Sequence, residues 1–90
     1  IQPVHGMPPD PDGPWASALG PERAARGWRS ESLRKSGATL AFGSDWPVAP
    51  LDPLRGIFVA VNRTSPDGEP DGGWLPEERL TLADALRAFT

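Results

Sequence analysis

The 90-residue chain contains no cysteine, one histidine and one methionine. Without cysteine, neither a disulfide framework nor a thiolate metal site can form, and the sequence carries no mark of its redox compartment. With a single histidine the chain offers little beyond His5, Asp45 and another acid, whereas a catalytic zinc usually takes three protein ligands, so a metal centre built by this chain alone is not expected. No apolar run approaches the roughly 18 residues of a membrane span, and the first residues lack the charged-then-apolar pattern of a signal segment. The net charge is −3 and the nine basic residues are scattered, so there is no electrostatic footprint for nucleic acid. Neither nucleic acid nor a membrane is an expected partner, and a cytoplasmic location is the expectation. A Gly-x-Ser-x-Gly elbow is also missing, which makes a nucleophilic serine triad a poor fit.

The most informative stretch present is residues 39–48, TLAFGSDWPV. The apolar and small residues of 38–42 suit a strand buried on both faces, and a buried strand carries a carboxylate only where something at its end needs one. Asp45 stands at that end. Strand C-termini form the reaction face of parallel α/β architectures, so Asp45 is a candidate catalyst and metal ligand, with turn capping as the structural alternative. Residues 1–4 read as the tail of a second strand, which Pro3 tolerates only at an end or edge. His5 follows it directly, which places His5 and Asp45 at equivalent positions beyond neighbouring strands about 4.8 Å apart. A lone histidine there reads as a pocket-lining or substrate hydrogen-bonding group, and Trp46 beside the acid as an apolar wall of the same pocket.

Between the two strands the spacing predicts loop and helix. Residues 7–14, MPPDPDGP, have the composition of an extended loop. Gly20 interrupts the helical residues 15–19, Pro21 starts a new helix, and helical character runs to about Ser36 with a bend near Gly27 and a C-cap at Gly37. Strand, loop, helix, strand is a βαβ unit, with parallel strands and a right-handed crossover. Asp52 is the predicted N-cap and Pro53 the first residue of a helix to Asn62, its buried face formed by Leu54, Ile57, Phe58 and Val61. Residues 65–73, SPDGEPDGG, are a solvated loop without the spacing of a calcium-binding loop. Thr81 with Asp84 forms an acidic capping box before a stripe of Leu82, Ala85, Leu86 and Phe89. The chain opens in strand-like sequence at Ile1 and stops within an amphipathic pattern at Thr90, so it reads as a piece of something longer.

The wording of the sequence goes further than its periodicities. Gln2-Pro3-Val4-His5, Trp15 with Leu19-Gly20-Pro21-Glu22-Arg23, Ala41-Phe42-Gly43-Ser44-Asp45-Trp46-Pro47-Val48, Asp52-Pro53-Leu54, and Leu80-Thr81-Leu82 with Ala85-Leu86 closely resemble the amidohydrolase superfamily. The similarity is to the amidohydrolase-3 branch, which includes N-substituted formamide deformylases. It preserves order across nearly the whole chain.

That resemblance implies an α/β fold: residues 1–90 as the C-terminal fragment of a (β/α)8 TIM-like barrel, from strand seven ending near His5 to the helices after strand eight, which ends at Asp45. It implies a metal-dependent hydrolase of a C–N, amide-like bond in a small-molecule substrate, in which a metal-bound hydroxide attacks and the acid closing strand eight, here Asp45, binds the metal and carries the proton. The divalent metal, zinc as the first choice, needs ligands this chain lacks, since the family's other histidines and its bridging carboxylate have no counterpart here. The remainder of the barrel or another copy of the chain is the expected partner, and the fragment alone is expected to be inactive. The rival expectation is a non-catalytic folding or interaction module that oligomerises through open strand edges.

Overall fold

The computed structural model describes residues 1–7 and 13–90, so most of the loop expected over 7–14 lies outside the described residues. Among those residues the regular elements are helices α1 (Pro14–Ala24), α2 (Ser30–Lys35), α3 (Pro53–Asn62) and α4 (Leu82–Phe89), with short 3₁₀ turns at Pro3–His5 and Pro76–Glu78. Local chemistry accounts for their bounds. Pro14 opens α1, and Gly20, at φ 73° and ψ 163°, breaks its path before Pro21 restarts it. The helical run expected to reach Ser36 is divided by a turn in which Trp28 takes a φ of 49°. Asp52 caps α3 by accepting the Leu54 amide at 2.9 Å. Thr81 caps α4 by accepting the Asp84 amide at 3.1 Å, and its hydroxyl donates to the Asp84 carboxylate.

No strand forms among the described residues, and this corrects the expectation of an α/β barrel fragment with two parallel strands. The first segment and residues 41–43 do meet: the Ile1 ammonium donates to the Ala41 carbonyl at 2.9 Å, and the Gly43 amide donates to the Ile1 carbonyl at 3.1 Å. Two such bonds bracketing one residue are what a parallel pair exchanges at a single position. They do not propagate, because Pro3 has no amide proton and sets the φ that starts the 3₁₀ turn. His5 therefore sits within a 3₁₀ turn, not beyond a strand. The segment expected to be buried on both faces has one side in contact. Leu40 and Phe42 pack on the core while Thr39 and Ala41 are exposed. Without strands, association through open strand edges has no basis in the described residues.

The core is small. Ile57, Ala60, Leu80 and Ala85 form its buried centre, joined by Leu40, Phe42, Val61 and Phe89. Helix α3 is its axis and packs on both the first 3₁₀ turn and α4. Gly56 permits this closeness: a Cβ there would stand 2.9 Å from Phe89 Cζ and 3.2 Å from Pro3 Cγ. Phe42 and Phe89 meet edge to face with centroids 5.5 Å apart, a geometry favourable beyond its buried area. Only part of each predicted helical stripe is covered. Leu54 is 67% exposed and Leu82 56%, whereas Ile57 and Ala85 are buried.

A second cluster fastens α2 to the rest. Glu78, on the second 3₁₀ turn, is buried and accepts from the Ser32 amide at 2.9 Å, from the Ser32 hydroxyl, and from Arg29 Nε at 3.3 Å. It caps the first turn of α2 from 46 residues away. Burial pushes this carboxyl up, but the hydrogen bonds from the Ser32 hydroxyl and amide and from Arg29 outweigh burial and hold it below the ordinary glutamate value of 4.5. The unfolded chain thus binds the proton more readily than the folded one, so the stabilisation is complete above about pH 4.5 and is lost as pH falls through the folded value. Glu78→Gln is expected to lower stability at pH 7 by roughly 1–3 kcal/mol, the range for hydrogen bonds to a charged acceptor and for stranding their donors. The difference from the parent should shrink on acidification, which denaturant midpoints at pH 7 and pH 4 would measure.

Candidate functional site

The chain reverses at Asp45, which adopts the left-handed region with φ 63°. Aspartate enters that region more readily than most residues because its short polar side chain bonds locally. The reversal is held by the Trp46 amide donating to the Ser44 hydroxyl at 3.3 Å and by the Ala49 amide donating to the Asp45 carbonyl at 3.1 Å. The Trp46–Pro47 peptide is cis. On the other side, the 3₁₀ turn is closed by the Gly6 amide on the Pro3 carbonyl at 2.9 Å and by the His5 amide on the Gln2 carbonyl at 3.3 Å. The Trp28 indole N–H also donates to the Gln2 carbonyl, at 3.1 Å.

These two turns bring His5 Nε2 to 2.9 Å from Asp45 Oδ2 across 40 residues of sequence. An ionised carboxylate only accepts, so with Asp45 charged the imidazole carries its proton on Nε2 and donates it. The side chains are 36% and 38% exposed. The pair is therefore open to a small molecule yet partly screened from water. Trp46, the third residue singled out from the sequence, is 65% exposed beside Asp45. Trp15 packs on Trp28 with centroids 6.0 Å apart, and Trp28 continues to Trp74 at 6.3 Å.

The donor types suit a divalent metal, since a carboxylate oxygen and an imidazole nitrogen are both common ligands of zinc. Their number does not complete a site. Among the described residues no group of three His, Cys, Asp or Glu side chains is placed to hold a metal ion. Asp45 fits as one ligand, and its other oxygen takes no hydrogen bond from the described residues.

The sequence reading missed Arg63. It caps α3 in the left-handed region at φ 59° and is 2% exposed. Its Nε donates to the Trp74 carbonyl at 3.0 Å, its Nη1 to the Trp28 carbonyl at 3.2 Å, and its guanidinium lies 5.0 Å over the Trp74 ring. Burial pushes the guanidinium down from its ordinary value, opposed by the negative charges of Glu78 and Glu77. The one local signal was its position where a glycine C-cap is usual.

Comparison with known proteins now adds to this geometry. The profile of the amidohydrolase family matches residues 1–90. Protein LONG AFTER FAR-RED 3 of Arabidopsis thaliana is 44% identical over 91 residues, covering all of this chain and 15% of that protein. "Putative amidohydrolase YtcJ" of Bacillus subtilis (strain 168) is 34% identical over 80 residues, covering 88% of this chain and 15% of that protein. The chain thus spans about 15% of the length of either relative. No solved structure gives a significant match.

The left-handed backbone at Asp45 generates a prediction. Asp45→Asn should cost less than about 1 kcal/mol, because asparagine also adopts this region. Asp45→Val should cost roughly 1–3 kcal/mol from backbone strain in addition to the lost bond. Denaturation midpoints of the two variants decide it, and equal midpoints would contradict it.

Proposed function

The chain belongs to the amidohydrolase family, and from that premise we propose that it contributes the proton-handling acid of a metal-dependent hydrolase cleaving an amide-like C–N bond. The observation that carries the reading is the contact of His5 Nε2 with Asp45 Oδ2 at 2.9 Å in a partly open setting. Likeness to the branch containing N-substituted formamide deformylases directs the choice of substrate toward a small secondary amide.

In this reading Asp45 has two tasks. One oxygen accepts from His5, which fixes the plane of the carboxylate and leaves the second oxygen for a divalent cation, zinc by preference. Such a cation, when bound, polarises a carbonyl and lowers the pKa of water. Asp45 takes a proton from the attacking water at its carboxylate and returns it to the departing amine nitrogen, the two halves of general base and general acid catalysis. His5 Nε2–H can pass its bond from the carboxylate to a substrate oxygen. The exposed Trp46 ring offers an apolar surface to the substituent on nitrogen. The remaining metal ligands come from outside this chain, which corresponds to 15% of the length of its relatives.

A second reading, a folding or interaction module, is favoured by one observation. Val48, Leu51 and Leu54 are 77%, 70% and 67% exposed in neighbouring positions, an apolar surface that a partner or further chain would cover. The two readings separate on metal content and turnover. In the full-length polypeptide, Asp45→Asn is expected to lower turnover of N-substituted formamides by roughly 10² to 10⁴, the range of acid–base catalysis, and to reduce bound zinc measured by elemental analysis. Unchanged turnover and metal content would exclude the hydrolase role of Asp45.

A further inference from the structure

We propose that Arg63 is a positioning residue for the His5–Asp45 pair, acting from behind the turn that carries His5; the proposal rests on the reading of that pair as the reacting groups. Three observations lead to it. First, Arg63 is buried among main-chain carbonyls it serves as a donor, those of Trp74 and Trp28 at 3.0 and 3.2 Å. Second, Trp28, held at its carbonyl by Arg63, uses its indole N–H at 3.1 Å to fix the Gln2 carbonyl at the start of the His5 turn. Third, Arg63 stands close behind the far end of that turn. Gly6 is buried, and a Cβ there would stand 2.8 Å from Arg63 Nη1 and 3.0 Å from the Pro3 carbonyl oxygen.

The turn from Gln2 to Gly6 is thus backed at both ends by one guanidinium, which leaves no room for a side chain at Gly6 and holds Gln2 through Trp28. His5 lies between those two points. Its imidazole reaches Asp45 from a short 3₁₀ turn that has few internal bonds of its own, so its position depends on what backs it. Arginine suits the task because its planar fork serves two carbonyls at fixed angles, which a lysine ammonium cannot reproduce. Arg63 touches neither Asp45 nor any reacting atom, and its effect passes through the backbone of the His5 turn.

The test uses the full-length polypeptide with Arg63→Lys, Gly6→Ala and the double variant. In each, the crystal structure and the steady-state constants for a small N-substituted formamide are determined. Arg63→Lys and Gly6→Ala are each expected to open the His5 Nε2 to Asp45 Oδ2 distance beyond about 3.5 Å. Each should lower kcat by about tenfold or more, the scale of small misplacements in an active site, while KM changes by less than about threefold. The double variant should lose less than the product of the two single losses, because lysine lacks the nitrogen that an alanine Cβ at position 6 would strike. Folded single variants that keep the His5–Asp45 bond and the parent kcat would overturn the proposal, as would strictly multiplicative losses. Should Asp45→Asn leave turnover unchanged, the reading of the pair falls, while the distances in the Arg63 and Gly6 variants still decide whether Arg63 places His5.

Discussion

One hydrogen bond, from His5 to Asp45 across 40 residues, joins two turns whose neighbouring segments are also linked by the bonds of Ile1 with Ala41 and Gly43. The role proposed for Asp45 depends on that approach. It requires Asp45 to leave the apolar segment in the left-handed region, and it requires the 3₁₀ turn at Pro3–His5 to be seated on α3. The absence of a side chain at Gly56 allows the second condition, since Pro3 and Phe89 both crowd that position. A partly screened carboxylate facing an imidazole is a chemically useful object, because proton position and metal affinity are both set by the same contact.

Two buried charges lie outside the apolar centre, and each is bonded to partners distant in sequence. Arg63 donates to carbonyls of two loops and lies over the Trp74 ring, its Nη2 alone being buried without a partner among the described residues; Glu78 accepts three donors from the start of α2. Burying a charge is costly unless its hydrogen bonds are met, and breaking such a cluster costs more than the cluster contributes. With an apolar centre of only Ile57, Ala60, Leu80 and Ala85, these polar clusters set the loop positions that a larger core would otherwise impose.

What could be read from the sequence was what local chemistry decides. The caps at Asp52 and Thr81, the break at Gly20 and the extents of α3 and α4 follow from residues within one turn of each other. Strand pairing is non-local, and there the reading failed: residues 39–43 have strand composition, yet without a continuing ladder they remain irregular. Helical periodicity showed which residues share a face and not what covers it, as the exposure of Leu54 and Leu82 beside buried Ile57 and Ala85 makes plain. Of the site, the motif around Asp45 and the position of His5 marked the two residues that the fold brings together, but nothing near Arg63 announced a buried cation. Its partners lie 11 and 35 residues away.

The account stands or falls on whether Asp45 shares a divalent ion with ligands from outside this chain. Anomalous diffraction from crystals of the full-length polypeptide loaded with zinc measures this directly. The predicted result is a single strong peak about 2.0–2.2 Å from an Asp45 carboxylate oxygen, with His5 Nε2 still bonded to the other oxygen. A zinc peak remote from Asp45, or an Asp45 carboxylate bonded only to main-chain amides, would contradict it.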